Sequence, residues 1–459
     1  MSAIVILGAI ASIIWIVRKS YRDAFVDIYV AVLLGLPCWC RWPLPGLPDP
    51  TFQQAAILPI AAVFVVRGFK GYRFSAMDLL VAFLLTLIGV SEFINAGFAD
   101  AQNLIFDVTA GGLLPYVLAK AIIEPSGLRV RFLRNIVLSA SFVIVLTIYE
   151  SKFAYNPYRR LLDPFFPGQG DGWVTTFRYG LARVAGPYGH AILAGVVFMF
   201  AIRLQSWLDA SNHWERNFRR FQIGNFTKSQ VLTGWTILGL ILTWVRGPQL
   251  GTLLAWLFSL IGQGRNPRKR AVLALSSIFV VGIPIAISFY TYASVGRAQA
   301  KSDSQETAAY RKELIDKYMD IAFQHSWLGW GRNGWPKVGG MPSIDNYYLL
   351  LALQHGTLAT TSLFLIIVIQ STRLYRNGMR SAPLRPPGSS LSFNLFGLYI
   401  GFGFSIATVF MGDTLVPLFF MMVGFTEAYL LAGGDAQNTG GKSRVAVAVR
   451  PFRFNRLVS

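Results

Sequence analysis

The chain has 459 residues, of which 54% are hydrophobic and 14% are charged, and its mean hydropathy is +0.47. This composition excludes a soluble globular domain. The formal net charge of +20 would also suit a nucleic-acid-binding protein. However, the basic residues lie mostly in short loops between apolar segments, and they are not interleaved with aromatic residues for base stacking. The sequence therefore predicts a membrane protein without a nucleic-acid partner.

Cys38 and Cys40 are the only cysteines in the chain. Two cysteines are too few for a disulfide framework, and no further metal ligands lie near them. We therefore expect them to be packing or lipid-facing residues. The N-terminal stretch lacks a basic region and a clear cleavage site, which favours a retained first helix over a signal peptide. Whether that helix spans the membrane is left open.

Apolar segments recur along the whole sequence, and several are shorter than the ~20 residues that span a bilayer. They predict an all-α polytopic membrane protein with 12–14 transmembrane helices and a best count of 13. Residues 1–432 are expected to form one transmembrane domain, and residues 433–459 a disordered, basic, cytoplasmic tail. The segments are Ala3–Val17, Phe25–Cys40, Phe52–Val66, Met77–Ala96, Val108–Ile123, Asn135–Tyr149, Pro187–Leu204, Val231–Val245, Gln249–Ile261, Ala271–Ala293, Asn346–Thr372, Phe393–Phe410 and Val416–Leu431.

Charge asymmetry orients these segments. If the N-terminus is outside and the segments alternate, every inside loop is basic, as the positive-inside rule requires. Two long loops then lie outside, at residues 150–186 and 294–345. Within the second, the residues Ser304–Gln324 have apolar positions at helical spacing and charges on the opposite face. We expect an amphipathic helix there, lying over the outer mouth of the bundle.

The arginines that remain outside are unusual under this rule. Arg183 precedes an apolar segment, and Arg246 lies in a tight turn that holds its guanidinium at the membrane face. Two such groups suit a pyrophosphate, because a guanidinium donates in a bidentate fork and keeps its charge. Asp345 lies where the second outer loop enters the membrane, and a carboxylate there suits general-base work on a hydroxyl.

Several neighbouring residues have two possible roles. Arg178 and Arg311 are secondary candidates for the same anion, although for Arg311 we favour a neighbour of Asp316 or Glu313 on a solvated helix face. A lone histidine at a helix start, such as His190, is more often structural than functional. A direct role in the reaction is the alternative. The tryptophans of the second loop, including Trp335, fit an interfacial aromatic belt and sugar stacking equally well. No Ser-His-Asp group, P-loop, GxGxxG turn or zinc spacing is present.

Four stretches in this order resemble the O-antigen ligase and Wzy-type polysaccharide polymerase superfamily. The resemblance covers about residues 178–360, and the preceding third matches only as generic membrane helices. The stretches are RVAGPYGHAILAG (Arg183–Gly195), VRGPQLGTLLA (Val245–Ala255), YRKELIDKYMDIAFQHSWLGWG (Tyr310–Gly331) and SIDNYYLLLALQHGTLA (Ser343–Ala359).

The resemblance implies a GT-C-like, inverting transferase that needs no metal or cofactor. Arg183 and Arg246 would bind the pyrophosphate of an undecaprenyl-linked oligosaccharide, and Asp345 would deprotonate or align the acceptor hydroxyl. His190 would be a second catalytic residue, and the secondary substrate contacts would be Arg178, Arg311, Asn346 and Trp335. The site would face the periplasm from the bacterial inner membrane, in the lipid bilayer, with a growing polysaccharide as acceptor and a chain-length regulator as a further partner.

One departure from the family pattern bears on the reaction. The ligases carry histidine where this chain has Asp345, followed by the shared Asn346. This favours a polymerase of O-antigen or secreted exopolysaccharide over a ligase that transfers glycan to a lipid or protein acceptor. A transporter or flippase of lipid-linked glycan is the alternative from another class. The sequence lacks the internal repeats common in transporters, and its special charges gather on one face.

Overall fold

The computed structural model describes residues 2–171, 175–178, 180–214, 222–223, 226–264, 266–341, 343–382, 386, 388–412 and 414–439. These residues form an all-helical bundle with two short antiparallel hairpins. The strands are β1 (Phe177–Arg178) paired with β2 (Leu181–Ala182), and β3 (Gln222–Ile223) paired with β4 (Phe226–Thr227). The α-helices are α1 (Ile6–Arg18), α2 (Tyr21–Asp23), α3 (Val30–Gly35), α4 (Phe52–Val66), α5 (Ala76–Ala96), α6 (Phe98–Val108), α7 (Leu114–Ile122), α8 (Arg129–Phe153), α9 (Pro157–Leu162), α10 (Ala191–Ala210), α11 (Lys228–Leu242), α12 (Arg246–Ser259), α13 (Pro267–Ser277), α14 (Ile283–Ala293), α15 (Asp303–Gln324), α16 (Tyr347–Ser381), α17 (Leu391–Ile406) and α18 (Leu415–Leu431).

Short 3-10 and π turns extend or join several helices. The 3-10 turns are Ser2–Val5, Gly186–Tyr188, Leu260–Gln263, Arg297–Gln299 and Gly434–Thr439. Three π turns make neighbouring helices continuous, and they are Ala24–Tyr29, Thr109–Leu113 and Ile278–Gly282. The joined helices include Phe98–Ile122 and Pro267–Ala293.

The predicted class of an all-α polytopic membrane protein is confirmed. Each of the thirteen apolar segments falls on a helix. Within the described ranges, six helices are long and apolar enough to cross a membrane: Ala76–Ala96, Phe98–Ile122, Arg129–Phe153, Ala191–Ala210, Pro267–Ala293 and Tyr347–Ser381. Four shorter apolar helices accompany them: Ser2–Arg18, Phe52–Val66, Leu391–Ile406 and Leu415–Leu431.

Several predicted boundaries differ from the structure, among them the end of the second segment and the start of the fifth. The second segment ends as a helix at Gly35 instead of Cys40, and both cysteines lie buried beyond it. The fifth helix begins at Phe98, ten residues before the predicted start. The part of this helix before residue 108 carries polar side chains that pair with the loop after α3: Asn103 accepts a hydrogen bond from Asp49 N, and Asp107 accepts from Arg41. Because these residues are polar, this part of the helix does not belong to an apolar run in the sequence.

Loops assigned to one side of the membrane contact one another. At one end of the bundle, the backbone N–H of Tyr347 donates to Val409 O over 3.1 Å. At the other end, Trp207 Nε1 donates to Ser389 O over 3.1 Å, and Gly388 N donates to Gly262 O over 3.0 Å. These contacts agree with the predicted alternation of the loops between the two sides of the membrane. Which side faces the cytoplasm stays a prediction. The first end, which holds residue 345, is called the outer end below.

Helices α12 and α17 pack with their backbones in close contact. Small residues recur every four positions, at Gly251 and Ala255 on α12 and at Gly397 and Gly401 on α17. A Cβ at Gly401 would overlap the carbonyl oxygen of Gly251, and one at Gly397 would overlap that of Ala255. Small residues of this kind permit close helix packing in membranes, where a hydrophobic driving force between helices is lacking. The contact fixes α12, and with it the turn that carries Arg246.

Replacing Gly401 by Val is expected to destabilise the protein by about 1–3 kcal/mol, the usual cost of overpacking a tight interface. The measurement is thermal unfolding in detergent. Gly234→Ala in α11 is the matched control, because an added Cβ there meets no atom within 4 Å. An unchanged melting temperature for Gly401→Val would contradict the close contact of α12 with α17.

Helix α16 is broken near the outer end. Gly356 has φ 85° and ψ 168°, so the helix divides into a short outer part and a longer inner part. The carbonyl groups freed by the break are paired, because Trp330 N donates to Leu353 O over 2.8 Å and Gly331 N donates to Gln354 O over 2.9 Å. Thr357 N donates to Ser326 O over 2.7 Å. The segment 326–332 therefore supports the break, which the prediction of one continuous segment from Asn346 missed.

The predicted amphipathic helix is present as α15. It begins one residue before the predicted start, and Ser302 caps it by accepting a hydrogen bond from Gln305 N. Its buried face, which includes Leu314 and Tyr318, packs against Leu349 and Leu353 of the outer part of α16. Helix α15 therefore lies over the outer end of the bundle.

The tail was predicted to be disordered from residue 433, but its first residues are ordered. Gly434–Thr439 forms a 3-10 helix. The buried Asp435 carboxylate accepts hydrogen bonds from Ser390 Oγ over 2.5 Å, Leu391 N over 3.1 Å and the Tyr429 hydroxyl over 2.6 Å. Three donors hold this carboxylate, so the chain stays ordered there. The rest of the predicted tail, residues 440–459, lies outside the described residues.

Candidate active site

Asp345 lies directly before the outer part of α16. Asn346 is the N-cap of that helix, and its Oδ1 accepts a hydrogen bond from Leu349 N over 3.3 Å. Asn346 therefore satisfies one of the backbone donors that a helix start leaves unpaired. Ser343 Oγ donates to Asp345 Oδ1 over 3.1 Å. The half-buried carboxylate is thus held between a helix cap and a serine.

Arg183 follows strand β2 at the outer end. Its backbone N–H donates to Thr176 O over 2.9 Å, and its Nη1 donates to Thr176 Oγ1 over 3.3 Å. Within the described residues its buried Nε has no hydrogen-bond partner. Burial, and to a smaller extent the charge of Arg178, lower the pKa of the guanidinium to about 10, although the charge of Asp345 opposes the shift. The group is still protonated at neutral pH.

The loop after Arg183 is held by Glu150, the buried acid near the end of α8. Its carboxylate accepts hydrogen bonds from Ala185 N over 3.1 Å and Gly186 N over 2.8 Å. Asn156 Nδ2 donates to Gly186 O over 2.8 Å and to Glu150 Oε1 over 3.3 Å. We call Glu150 and Asn156 the loop clamp. Hydrogen bonds to two successive amides fix the backbone that follows Arg183.

Arg246 is the first residue of α12. Both of its Nη atoms donate to Ser304 Oγ over 3.1 Å, so it reaches the start of α15. Arg178 Nη1 donates to Trp244 O over 2.8 Å. Trp244 has φ 50°, an uncommon conformation for a residue with a side chain. Arg178 therefore ties the first hairpin to the turn that presents Arg246.

Arg311 does not lie on a solvated face, and the favoured prediction for it is wrong. The acids of α15 pair with lysines instead: Lys312 Nζ is 2.7 Å from Asp316 Oδ2, and Lys317 pairs with Glu313. Arg311 Nη2 donates to Thr408 O over 3.3 Å, in the loop after α17. The sequence alone could not reveal this contact, because Thr408 lies 97 residues further along the chain.

These side chains form one electrostatic group at the outer end. Burial lowers the pKa of Arg311, the Asp345 carboxylate opposes the shift, and the charges of Arg178 and Arg246 add to it. Arg183 interacts in the same way with Arg178 and Asp345. We call Arg178, Arg183, Arg246, Arg311 and Asp345 the arginine cluster. Four positive charges around one carboxylate leave a strong excess that suits a polyanion.

His190 caps helix α10. Its Nδ1 accepts a hydrogen bond from Ile192 N over 3.2 Å, and its ring packs edge-on against Phe410. Burial, and to a smaller extent the charge of Arg183, lower the pKa of His190 to about 4. The ring is therefore neutral at pH 7, with Nδ1 as an acceptor. This geometry favours a cap over an acid catalyst.

His190→Asn is expected to keep both stability and activity, because asparagine is a strong N-cap residue. His190→Ala should lose about 1 kcal/mol of stability. In the unfolded chain the imidazole of residue 190 becomes protonated below about pH 6.5, whereas in the folded protein it becomes protonated only below about pH 4. As the pH falls from about 6.5 to about 4, the Asn variant should therefore lose less stability than the native protein. Thermal unfolding across this range tests both points. A folded Asn variant with less than a tenth of native activity would restore the direct catalytic role.

Trp335 is not brought to the arginine cluster. Its indole Nε1 donates to Arg332 O over 3.2 Å, and its ring packs edge-on against Tyr318 within the second outer loop. Trp327 is the exposed ring, with 73% of its surface accessible. In the part of the chain that the structure describes, no group of three or more His, Cys, Asp or Glu side chains is placed to hold a metal ion.

Residues 231–364 match the O-antigen ligase family model, Wzy_C. The predicted resemblance is thereby confirmed over this range. This O-antigen ligase segment contains Arg246, Arg311, Asp345 and Asn346. Among curated proteins, no sequence matches the chain.

The chain is thus a multi-pass membrane protein in which residues 231–364 are similar to the O-antigen ligase family. The remaining members of the arginine cluster, Arg178 and Arg183, precede the O-antigen ligase segment. The structure joins them to it through the hydrogen bond from Arg178 to Trp244 and through Val184 N, which donates to Leu242 O over 3.4 Å.

The sequence prediction missed several residues that build the site. Glu150 and Asn156 were not selected, although an acid at the end of a predicted membrane segment is a detectable signal. Ser304 and Thr408, which contact Arg246 and Arg311, had no such signal. A hydroxyl and a backbone carbonyl in polar loops resemble ordinary solvated groups.

Proposed function

We propose that the protein is a polymerase that joins undecaprenyl-pyrophosphate-linked oligosaccharide repeats at the outer face of the bacterial inner membrane. The arginine cluster carries this proposal. Four guanidinium groups beside one carboxylate suit a lipid pyrophosphate that must be held next to a base. Its position at the outer end, above apolar helices, suits a donor whose hydrocarbon chain stays in the bilayer.

The proposed reaction is a direct displacement at the anomeric carbon of the donor. An acceptor hydroxyl loses its proton to Asp345 while its oxygen bonds to the anomeric carbon. The bond from that carbon to the pyrophosphate oxygen breaks, and undecaprenyl pyrophosphate leaves. Arg183 and Arg246 stabilise the charge that develops on the leaving oxygen. One displacement inverts the configuration, and the arginines supply the positive charge.

A ligase is the second candidate, favoured by the description of the family model that matches residues 231–364. The polymerase is preferred because Asp345 stands where the resembling ligases have histidine. A ligase would transfer the finished glycan once to a different acceptor. A polymerase would use another lipid-linked repeat as the acceptor and would repeat the transfer.

The test uses purified protein in nanodiscs with lipid-pyrophosphate-linked repeat units as the sole substrate. A ladder of longer glycans with matching release of lipid pyrophosphate is expected. Anomeric protons in NMR spectra of the product would report inversion. Product only after addition of a separate lipid acceptor would support the ligase. Binding of the donor with no transfer to either acceptor would overturn the proposal.

A further inference from the structure

A second internal space lies beside the arginine cluster, on another face of α16. It is a cavity of about 500 Å³ between α4, α5, α6, α16 and α18. Tyr347, Leu350, Leu351 and Gln354 line it from one face of the outer part of α16. Leu349 and Leu353, on another face, pack against α15, which carries Arg311. Tyr347 is only two residues from Asp345, so the cavity begins close to the carboxylate.

The outer end of this cavity is polar but balanced in charge. Arg41 donates to Asp107 through both Nη atoms, over 3.0 and 3.2 Å, and Gln54 Nε2 donates to the same carboxylate over 2.6 Å. Asn103 accepts a hydrogen bond from Asp49 N over 3.2 Å. Paired acids and amides are unlike the unbalanced arginine cluster. They suit a neutral group with many hydroxyls instead of a pyrophosphate.

Gln53 leaves an acceptor unused at this cavity. The side chain is only 6% exposed, and its Nε2 donates to Leu36 O over 2.7 Å. Its Oε1 has no hydrogen-bond partner among the described residues, although the side chain lines the cavity. A buried carbonyl oxygen without a donor is costly and uncommon. A ligand hydroxyl in the cavity would supply the missing donor.

The deeper part of the cavity is apolar. Gln53 lies in the first turn of α4 and Asn103 in the second turn of α6. The apolar Phe420 lies in the second turn of α18, and Leu85 and Leu363 lie further along α5 and α16. Polarity therefore falls with depth along the helices. A ligand that matches this gradient carries sugars at its outer end and a hydrocarbon chain at its inner end.

We propose that this cavity binds the acceptor as a glycolipid, with its sugars against Gln53, Asn103 and Asp107 and its hydrocarbon chain against Leu85 and Phe420. The inference rests on the proposed function, because it gives the donor and acceptor separate sites. The arginine cluster holds the donor pyrophosphate. The cavity presents the acceptor hydroxyl across the first turn of α16 to Asp345.

Gly111 allows this cavity to be blocked. It lines the cavity, and an added Cβ there meets no atom within 4 Å. Gly111→Trp should therefore fill the space without a backbone clash, and Gly111→Ala should leave most of it open. Gly234→Trp is the matched control, because Gly234 is exposed on α11, away from the cavity, and has similar free space.

The probe is an octyl glycosylamine made from the repeat-unit oligosaccharide, which is released by mild acid from precursors accumulated in cells lacking this protein. It carries sugars and a hydrocarbon chain but no phosphate. Equilibrium binding to protein in nanodiscs is measured for each variant, with 1-octanol as competitor. Inorganic pyrophosphate is the separate probe for the arginine cluster.

Saturable binding of the glycosylamine to the native protein is expected. It should weaken by about tenfold or more in Gly111→Trp and Gln53→Leu, as when a buried group loses its partner. Gly111→Ala, Gly234→Trp and Arg183→Ala should bind as the native protein does, and pyrophosphate binding should change only in Arg183→Ala. Absence of binding, unchanged binding in Gly111→Trp, loss in Arg183→Ala, or full competition by 1-octanol would each overturn the acceptor site. Failure of the transfer assay with these binding results intact would overturn the proposed function alone.

Discussion

Asp345→Asn is expected to reduce glycan transfer by about 10²–10⁴-fold, the range attributed to a positioned general base. The amide keeps the shape of the side chain and can still accept the hydrogen bond from Ser343 Oγ. It cannot take up the proton of the acceptor hydroxyl. Initial rates of lipid pyrophosphate release, measured at saturating donor, report this loss.

Two comparisons separate a chemical role of Asp345 from a structural one. Donor binding and the melting temperature should stay close to the native values in Asp345→Asn. Asn346→Ala should instead lose about 1 kcal/mol of stability, since it removes the N-cap of α16 while leaving the carboxylate. An Asp345→Asn variant with more than a tenth of native activity would exclude Asp345 as the base.

Arg183→Ala and Arg246→Ala should each lower transfer by about 10²–10³-fold, the cost of removing one donor to a developing negative charge. Arg246→Lys should recover only part of the loss, because lysine keeps the charge but lacks the planar fork. Rates and donor affinity are measured for each variant. Loss of pyrophosphate binding should accompany the loss of rate, because the same groups hold the donor before reaction.

Arg160→Ala is the matched control for these two variants. Arg160 is an exposed arginine near the same end of the bundle, and its Nη1 donates to the Tyr149 hydroxyl over 3.5 Å. Its removal should change neither rate nor affinity. Equal losses in Arg160→Ala and Arg246→Ala would mean that only the net charge of the outer surface matters, and the proposed pyrophosphate site would be wrong.

The sequence predicted the helices because hydrocarbon imposes a simple rule. A membrane helix must be apolar over most of its length, so the segments could be found one at a time. The same rule made outer arginines conspicuous, and the order of four motifs brought Arg183, Arg246 and Asp345 together. The parts that failed were polar: the first turns of α6 and the ordered turn around Asp435 are held by partners far away in the sequence.

The support of the site could not be predicted for a related reason. The break at Gly356 depends on amides of residues 330 and 331, and the loop clamp joins residue 150 to residues 185 and 186. Such pairings leave no periodic pattern in the sequence. A glycine in an apolar helix is also tolerated without a break. The cavity, likewise, exists only once five helices are assembled.

The loop clamp has a consequence for exchanging parts between related enzymes. The residues that contact the donor in the proposed reaction all lie after residue 177, but the acid that sets the backbone after Arg183 belongs to α8. A chimera that joins residues 178–360 to foreign N-terminal helices would inherit the arginines without their anchor. A crossover placed before α8 would transplant a working module, and one placed at the motif boundary would give a folded but inactive hybrid.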